Sequence, residues 1–183
     1  MRLFIAIPLP SAAETTAAGL LTDLKAQQWP VRWVRDRGLH LTLKFFGELT
    51  SDRVDAIGEM LAFASSDVRA IGLSFSATGV FPDWERPRVL FLGVDPVPEL
   101  ELLQDRIERG GERLGFAPEG RPFQPHLTLG RVREGHRLPA GWRTTFERGD
   151  LGDPFLVDRV VLYESSLSPA GPTYTARLEV PLR

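Results

Sequence analysis

The sequence predicts an α+β or α/β fold with hairpin-like strand pairs. Three observations support this. Short apolar runs alternate along the chain with segments in which apolar residues recur at helical spacing. One four-residue segment occurs twice, nearly half the chain apart, which indicates an internal repeat. The length of 183 residues is enough for one domain, or for two small lobes that share a core.

In the first half, the apolar run 3–9 is closed by prolines and predicts a buried strand. Ser11 lies three residues before Glu14, which matches a capping box, so a helix is expected over about 11–28 until Pro30 ends it. The spacing of apolar residues predicts strands at 31–34, 39–47 and 71–77, and a helix capped by Thr50 or Ser51 that runs to about 64.

In the second half, residues 79–88 are turn-like and 89–94 form an apolar strand. Pro96 and Pro98 precede a helix whose buried stripe contains Leu100, Leu103, Ile107 and Leu114. The remaining segments are a loop at 118–125, a strand at 126–132, a loop with a helical turn at 139–152, and strands at 155–163 and 174–180.

Composition excludes several classes of protein. The chain has no cysteine, so a disulfide framework, a thiolate zinc site and a cysteine nucleophile are excluded. The net charge of −2 does not suit a strongly basic protein that coats nucleic acid. No apolar run approaches the ~20 residues of a membrane-spanning helix. We expect a cytoplasmic, monomeric protein with no membrane segment.

The repeated segment is a histidine motif. The chain has only three histidines, and two of them begin the same tetrapeptide, at 40–43 and 126–129. Because side chains alternate along a strand, His40 and Thr42 face one side while the two leucines face the core. The same holds for His126 and Thr128. We expect both polar pairs to line one functional cleft.

Two histidines and two threonines suit phosphoryl chemistry. One imidazole can act as a base while the other acts as an acid, and the threonine hydroxyls can donate to the phosphate oxygens. A zinc site is the competing interpretation, but neither tetrapeptide contains a carboxylate or thiolate ligand. The sequence also lacks the Gly-x-Ser-x-Gly segment of serine hydrolases and the Gly-x-x-x-x-Gly-Lys-Ser/Thr loop that binds a nucleoside triphosphate.

Paired His-x-Thr-x motifs in a chain of this length resemble the 2H phosphoesterase superfamily. Within it, the chain is most similar to the RNA 2′,3′-cyclic phosphodiesterase family, historically called 2′-5′ RNA ligase. The resemblance covers nearly the whole chain and includes residues 2–7, 44–47, 79–82, 88–93, 123–131 and 162–165, with Gly171 and Tyr174 beyond them. It implies an α+β fold of residues 1–183 as a single domain with two pseudo-two-fold-related lobes, each with an antiparallel sheet, around a central cleft.

The resemblance also implies hydrolysis of a 2′,3′-cyclic phosphate to a 2′-phosphate without a metal or cofactor. His40 would be the proton donor to the leaving 3′ oxygen and His126 the proton acceptor from water. Thr42 and Thr128 would hold the phosphate. The partner would be RNA with a 2′,3′-cyclic phosphate end, or a cyclic nucleotide. An RNA-end binding module without turnover, and a 2′-5′ RNA ligase or other 2H activity, remain open alternatives.

The charge pattern suits an anionic ligand. Segments 32–44 and 121–137 each carry a net charge of +3, whereas segment 48–67 carries −4. In a regular strand Lys44 shares the face of His40, so it is a candidate substrate contact. Arg131 would face away from His126, but a bulge at Gly130 would redirect it towards a phosphate.

Aromatic residues near the motifs are candidates to stack on a base. Phe81 is the strongest, and Phe46 is also a candidate, together with Trp84 and Phe123. The third histidine, His136, lies in a polar loop without the motif, so we expect an ordinary surface residue there.

Overall fold

A computed structural model of the chain describes residues 1–36, 38–149, 151–168 and 171–183. Arg37, counted above in the first basic segment, lies outside these residues. The strands are β1 (Arg2–Pro8), β2 (Val31–Trp33), β3 (His40–Glu48), β4 (Ile71–Leu73), β5 (Phe75–Phe81), β6 (Val89–Val94), β7 (His126–Val132), β8 (Phe155–Val157), β9 (Arg159–Ser168) and β10 (Gly171–Pro181). The helices are α1 (Ser11–Lys25), α2 (Arg53–Ser65), α3 (Pro98–Arg113) and α4 (Trp142–Phe146).

The described strands form two four-stranded antiparallel sheets and one small two-stranded sheet. The first sheet has the order β10-β9-β1-β3, and the second has the order β2-β7-β6-β5. The short strands β4 and β8 pair with each other. One tetrapeptide lies in each large sheet, because His40 begins β3 and His126 begins β7. The α+β prediction is confirmed.

The motif leucines belong to the hydrophobic core. Leu41 and Leu43 are 1% and 4% exposed, and Leu127 and Leu129 are both fully buried. This confirms the predicted alternation along the motif strands, and each buried leucine stabilises the fold by about 1.5–3 kcal/mol. The helices α1, α2 and α3 each bury one face against the sheets.

None of the helices in the described segments has the length and apolar character of a membrane-spanning helix.

The predicted capping box of the first helix is wrong. The helix starts one residue earlier than a Ser11 cap requires, with Pro10 at the N-cap position and no side-chain cap bond. The Glu14 carboxylate instead accepts a hydrogen bond from the backbone N–H of Gly38, at 3.2 Å between Oε1 and N. Glu14, which was expected to cap its own helix, therefore makes a long-range contact to the loop that precedes His40.

Several predicted boundaries shift. The helix expected from Thr50 or Ser51 begins at Arg53, after Asp52 at the N-cap, and no side chain caps it. The strand expected at 71–77 is two strands, β4 and β5, and β5 extends to Phe81 because it pairs with β6. The strand expected at 155–163 is likewise divided, because β8 pairs with β4 while β9 joins the first sheet.

Candidate active site

A β-bulge interrupts the first motif strand at the last residue of the motif. Thr42 is paired with Ala6 of β1, and Lys44 is paired with Ile5, so Leu43 has no partner in the ladder. An extra residue of this kind shifts the alternation of side chains by one position. At Lys44 and Phe45, therefore, the two faces of β3 are exchanged relative to the motif, and a second irregularity follows at Phe46, which lies between the pairs Phe45–Phe4 and Gly47–Leu3.

The second motif strand has the same irregularity at the same place. Thr128 is paired with Phe91 of β6, and Gly130 is paired with Leu90, which leaves Leu129 without a partner. The bulge expected next to Gly130 is therefore present. Since it lies at the last residue of the motif in both halves, it redirects the same later positions in each strand.

Lys44 is the first residue affected, and the prediction that it faces the cleft is wrong. It is only 6% exposed, and its Nζ lies 2.7 Å from Oε2 of Glu108 on α3. The approach of α3 depends on Gly111, where a Cβ atom would come within 2.6 Å of Cε of Lys44. The bulge at Leu43 turns Lys44 towards α3, so its positive charge pairs with the Glu108 carboxylate inside the fold.

Arg131 lies one position further along its strand than the equivalent of Lys44, and the bulge turns it towards the motif face. Its side chain is exposed, and its charge contributes to lowering the pKa of His126. Its charge also acts on Tyr174 of the first sheet, where burial raises the phenol pKa and Arg131 opposes that shift. The charge of Arg131 therefore acts on side chains of both sheets.

His40 is held by its backbone and by three aromatic rings, of which Tyr163 is the most distant, at 6.1 Å between centroids. Its Nδ1 lies 2.8 Å from the carbonyl oxygen of Gly38, whose φ of +85° favours glycine. The ring centroids of Phe4 and Tyr174 are each 5.0 Å from that of His40, and Tyr174 meets the imidazole edge-on. These contacts fix both the position and the orientation of the imidazole.

His126 has a matching environment in the second sheet. Its Nδ1 lies 2.7 Å from the carbonyl oxygen of Gln124. Phe81 meets the imidazole edge-on at a centroid distance of 5.0 Å, and Phe91 lies at 5.2 Å. Each motif histidine thus has a carbonyl acceptor two residues earlier in the chain and one edge-on aromatic neighbour.

The backbone bonds determine which nitrogen of each ring can react. A neutral imidazole that donates Nδ1–H to a carbonyl has its Nε2 atom free as an acceptor. Among the described residues, neither the Nε2 atom of His40 nor that of His126 has a hydrogen-bond partner. The exposed His136 makes the same local bond, 2.9 Å to the Glu134 carbonyl, so this bond alone does not mark a site.

Burial lowers the pKa of both motif histidines. For His40, desolvation is the main cause and the hydrogen bond to Gly38 opposes it. For His126, desolvation is again the largest cause, and the positive charge of Arg131 adds to it. At neutral pH both imidazoles of the free protein are therefore mainly neutral.

Both motif threonines are half-buried beside their histidines, on the same faces. In the described part of the chain, neither the Thr42 nor the Thr128 hydroxyl has a hydrogen-bond partner. Other threonines differ: the Thr78 hydroxyl, for example, donates to the Phe146 carbonyl at 2.9 Å. The motif hydroxyls are available as donors to a bound anion.

The described segments contain no group of three or more His, Cys, Asp or Glu side chains that could hold a metal ion. The side chains that surround the histidines are instead aromatic rings, hydroxyls and arginine. This set can position and stabilise an oxyanion without carboxylate ligands.

One of the aromatic candidates lies beside a motif histidine, and the others belong to the core or pack against it. Phe81 lies beside His126, and it stacks on Phe91 at 4.5 Å. The interpretation of Phe46 as a base contact is wrong, because it is 8% exposed and packs against Phe116 at 4.8 Å. Trp84 and Phe123 both pack against the core.

Phe45 was not predicted, although it is the exposed aromatic residue of the first motif strand. It is 68% exposed, and its ring lies 5.6 Å from that of Phe4, which also contacts His40. Tyr174 of β10 was also missed as a neighbour of His40. Regular alternation places Phe45 on the buried side of β3. Predicting that it is exposed would therefore require knowledge of the bulge at Leu43.

With this geometry defined, comparison with known proteins identifies the family. A model of the 2′-5′ RNA ligase superfamily matches residues 9–168. The chain belongs to this superfamily. The resemblance stated from the sequence is confirmed.

Curated relatives carry the name RNA 2′,3′-cyclic phosphodiesterase. The protein of Aeropyrum pernix is 35% identical over 153 residues, which cover 82% of this chain and 86% of the relative. The protein of Thermotoga maritima is 31% identical over 182 residues, which cover 98% and 94%.

Solved structures of other proteins share the fold. A crystal structure of a Thermus thermophilus protein has a TM-score of 0.86 and 26% identity, with coverage of 100% of this chain and 98% of the other. Crystalline E. coli LigT complexed with 3′-AMP has a TM-score of 0.75 and 28% identity, with coverage of 99% and 97%. Both support the two-sheet architecture described above.

Proposed function

We propose that the protein hydrolyses 2′,3′-cyclic phosphate ends of RNA, or cyclic nucleotides, to the 2′-phosphate. The observation that carries this proposal is the matched setting of His40 and His126, each with Nδ1 held by a carbonyl and Nε2 free. The names of the curated relatives support this reaction class, and the nucleotide bound to LigT supports a nucleotide ligand.

In the proposed reaction, water attacks phosphorus and the bond from phosphorus to the 3′ oxygen breaks. The Nε2 atom of neutral His126 accepts a proton from the attacking water. Protonated His40 donates the proton on its Nε2 to the leaving 3′ oxygen. One water molecule is added, and the proton count on the two histidines is restored by exchange with solvent.

The assignment of His126 as the base is supported by its charge environment. Arg131 disfavours a proton on His126, whereas among the described groups no cation contributes to the lowered pKa of His40. An anionic phosphate between the rings would raise both histidine pKa values. Since Arg131 opposes this change at His126, the bound state would favour one neutral and one protonated imidazole, which is the pair that the reaction needs.

The non-bridging oxygens gather negative charge as the reaction proceeds. We propose that the hydroxyls of Thr42 and Thr128 donate to these oxygens, together with the guanidinium of Arg131. None of the three needs to break an internal hydrogen bond or ion pair within the described part of the chain. Phe81 and Phe45 lie where a base could stack near the reacting phosphate.

The test is incubation with adenosine 2′,3′-cyclic phosphate, followed by identification of the product isomer by phosphorus NMR. We expect adenosine 2′-phosphate. His40→Ala and His126→Ala should each lower kcat by about 10²–10⁴-fold. The matched control is His136→Ala, which removes an exposed histidine with the same backbone contact. Full activity in either motif variant would refute the mechanism.

The same experiment separates the alternatives left open by the sequence. A binding module would retain the nucleotide without turnover. A ligase would form a 2′-5′ bond when a 5′-hydroxyl oligonucleotide is added, with the 5′-hydroxyl in the place of the attacking water. Activity that disappears with EDTA and returns with a divalent metal would favour the metal-dependent interpretation.

A further inference from the structure

Two arginines lie directly opposite each other on neighbouring strands of the second sheet. Arg32 of β2 is paired with Arg131 of β7 in the antiparallel ladder. The Cβ atoms of such a pair are about 4.5–5.5 Å apart, and like charges in this position destabilise a sheet. The fold therefore places two cations together where a neutral pair would be more stable.

The two side chains share one side of the sheet. Residues that are directly opposite in an antiparallel pair point the same way. Val31 and Trp33, the neighbours of Arg32, lie on the other side, where a Cβ atom on Gly130 would contact both side chains. Since Arg131 faces the motif histidines, Arg32 lies on that same side, one strand further from His126.

Among the described residues, no carboxylate forms an ion pair with either arginine of this pair. Elsewhere in the described chain, arginines pair with acidic side chains; Arg106 with Asp67 and Arg143 with Glu147 are examples. In the described segments, neither Arg32 nor Arg131 has a hydrogen-bond or ion-pair partner within its reach. Both are exposed. An unpaired cation pair beside a phosphate site is suited to a ligand with two phosphates in succession.

We infer that Arg32 binds the backbone phosphate that precedes the terminal nucleotide, and so selects an RNA chain over a cyclic mononucleotide. The inference rests on the proposed function, in which Arg131 contacts the cyclic phosphate. Because β2 is the edge strand of its sheet, the chain can continue past Arg32. The planar guanidinium of arginine suits bidentate contact with a phosphodiester.

The test compares three substrates: adenosine 2′,3′-cyclic phosphate, its 5′-phosphorylated form, and the dinucleotide ApA ending in a 2′,3′-cyclic phosphate. In Arg32→Gln, the ratio of kcat/KM for the dinucleotide to that for the mononucleotide should fall about tenfold. The slope of log kcat/KM against log salt concentration for the dinucleotide should become shallower by about 0.7, which corresponds to one phosphate contact on a single strand. Arg32→Lys should recover part of the ratio because it keeps the charge.

The matched control is Arg2→Gln, which removes an exposed arginine from the end of β1 that lies away from His40. An unchanged ratio in Arg32→Gln would overturn the inference, and so would a loss confined to the 5′-phosphorylated mononucleotide. If the unaltered protein hydrolyses none of the three substrates, the proposed function itself fails and takes the inference with it. Thermal melting of each variant checks that the fold is retained.

Discussion

Phe45 and Arg131 occupy equivalent positions in the two halves of the molecule. Each lies five residues after its motif histidine, and each is turned to the motif face by a bulge at the intervening leucine. The repeat therefore continues beyond the four identical residues, but with different chemistry in each half. One copy presents an aromatic ring at this position and the other presents a cation.

Arg131, the cation at this position, is the subject of the first prediction. We expect two linked effects of Arg131→Met. We expect kcat for a cyclic mononucleotide to fall about 10²–10³-fold, because the proposed donor to the developing oxyanion is removed. The pKa of His126 in the free protein should rise, because a nearby positive charge no longer disfavours its protonation. Steady-state kinetics and an NMR titration of the His126 ring proton measure these effects. A fall in kcat with no change in the titration would place Arg131 away from His126.

The aromatic side predicts that Phe45→Ala weakens substrate binding. KM should rise about tenfold if a base stacks on this ring. The melting temperature should change little, because Phe45 is 68% exposed. The matched control is Phe63→Ala, which removes a 77% exposed ring from α2. Equal KM values for the two variants would argue against stacking at Phe45.

The lowered histidine pKa values predict how stability depends on pH. In the unfolded chain histidine titrates near pH 6.5, and both motif histidines titrate below that in the folded protein. Between these values the unfolded state binds more protons, so their contribution to stability is complete above about pH 6.5 and is lost as the pH falls. Urea unfolding between pH 5 and 7.5 should show this loss. His40→Asn combined with His126→Asn should flatten the profile, whereas His136→Asn should not.

The lowered pKa values of His40 and His126 also predict that the pH profile of kcat/KM lies at lower pH than ordinary histidines would give. This parameter reports the free enzyme, in which both pKa values are low, so both limbs of the bell should move towards lower pH. The profile of kcat should lie at higher pH, because the bound anion favours protonated imidazole. Profiles measured over pH 4.5–8.5 would show this order, and coincident profiles would contradict it.

The buried ion pair between Lys44 and Glu108 predicts that replacing the two residues has strongly non-additive effects on the unfolding free energy. Lys44→Met leaves the Glu108 carboxylate partly buried without its cation, which should cost about 3–5 kcal/mol of unfolding free energy. Adding Glu108→Met should recover most of this loss, because two apolar side chains can pack there. Urea unfolding of both single variants and the double variant measures the coupling, and additive losses would contradict it.

Sequence patterns were sufficient for the two motifs and for most strands and helices, because buried leucines at period two and helical apolar stripes determine those elements locally. They were insufficient after the motifs. The alternation rule placed Lys44 beside His40, and nearness to the motif suggested Phe46 as a base contact, whereas the bulge at Leu43 exchanges the two faces there. Gly130 gave a local signal for the second bulge, and Arg131 was interpreted correctly with respect to its face. The first bulge has no glycine in the equivalent place, since Lys44 occupies it.

Contacts between distant segments were also beyond the sequence. Glu14 matched a local cap, yet it bonds to Gly38 because Pro10 already occupies the N-cap position. Tyr174 had no motif of its own, and only the position of β10 in the first sheet brings it to His40. Such pairings depend on tertiary topology, which the spacing of apolar residues does not encode.

The place of β9 and β10 in the first sheet has a consequence for synthesis. Strand β1 pairs with β9, and Tyr174 of β10 packs against His40, although these partners are separated by most of the chain. A nascent chain that already contains both histidine motifs would still have an open edge on β1, which is a site for aggregation. Catalytic competence should therefore arise late in translation, and fragments that end before β9 should depend on chaperones and be degraded.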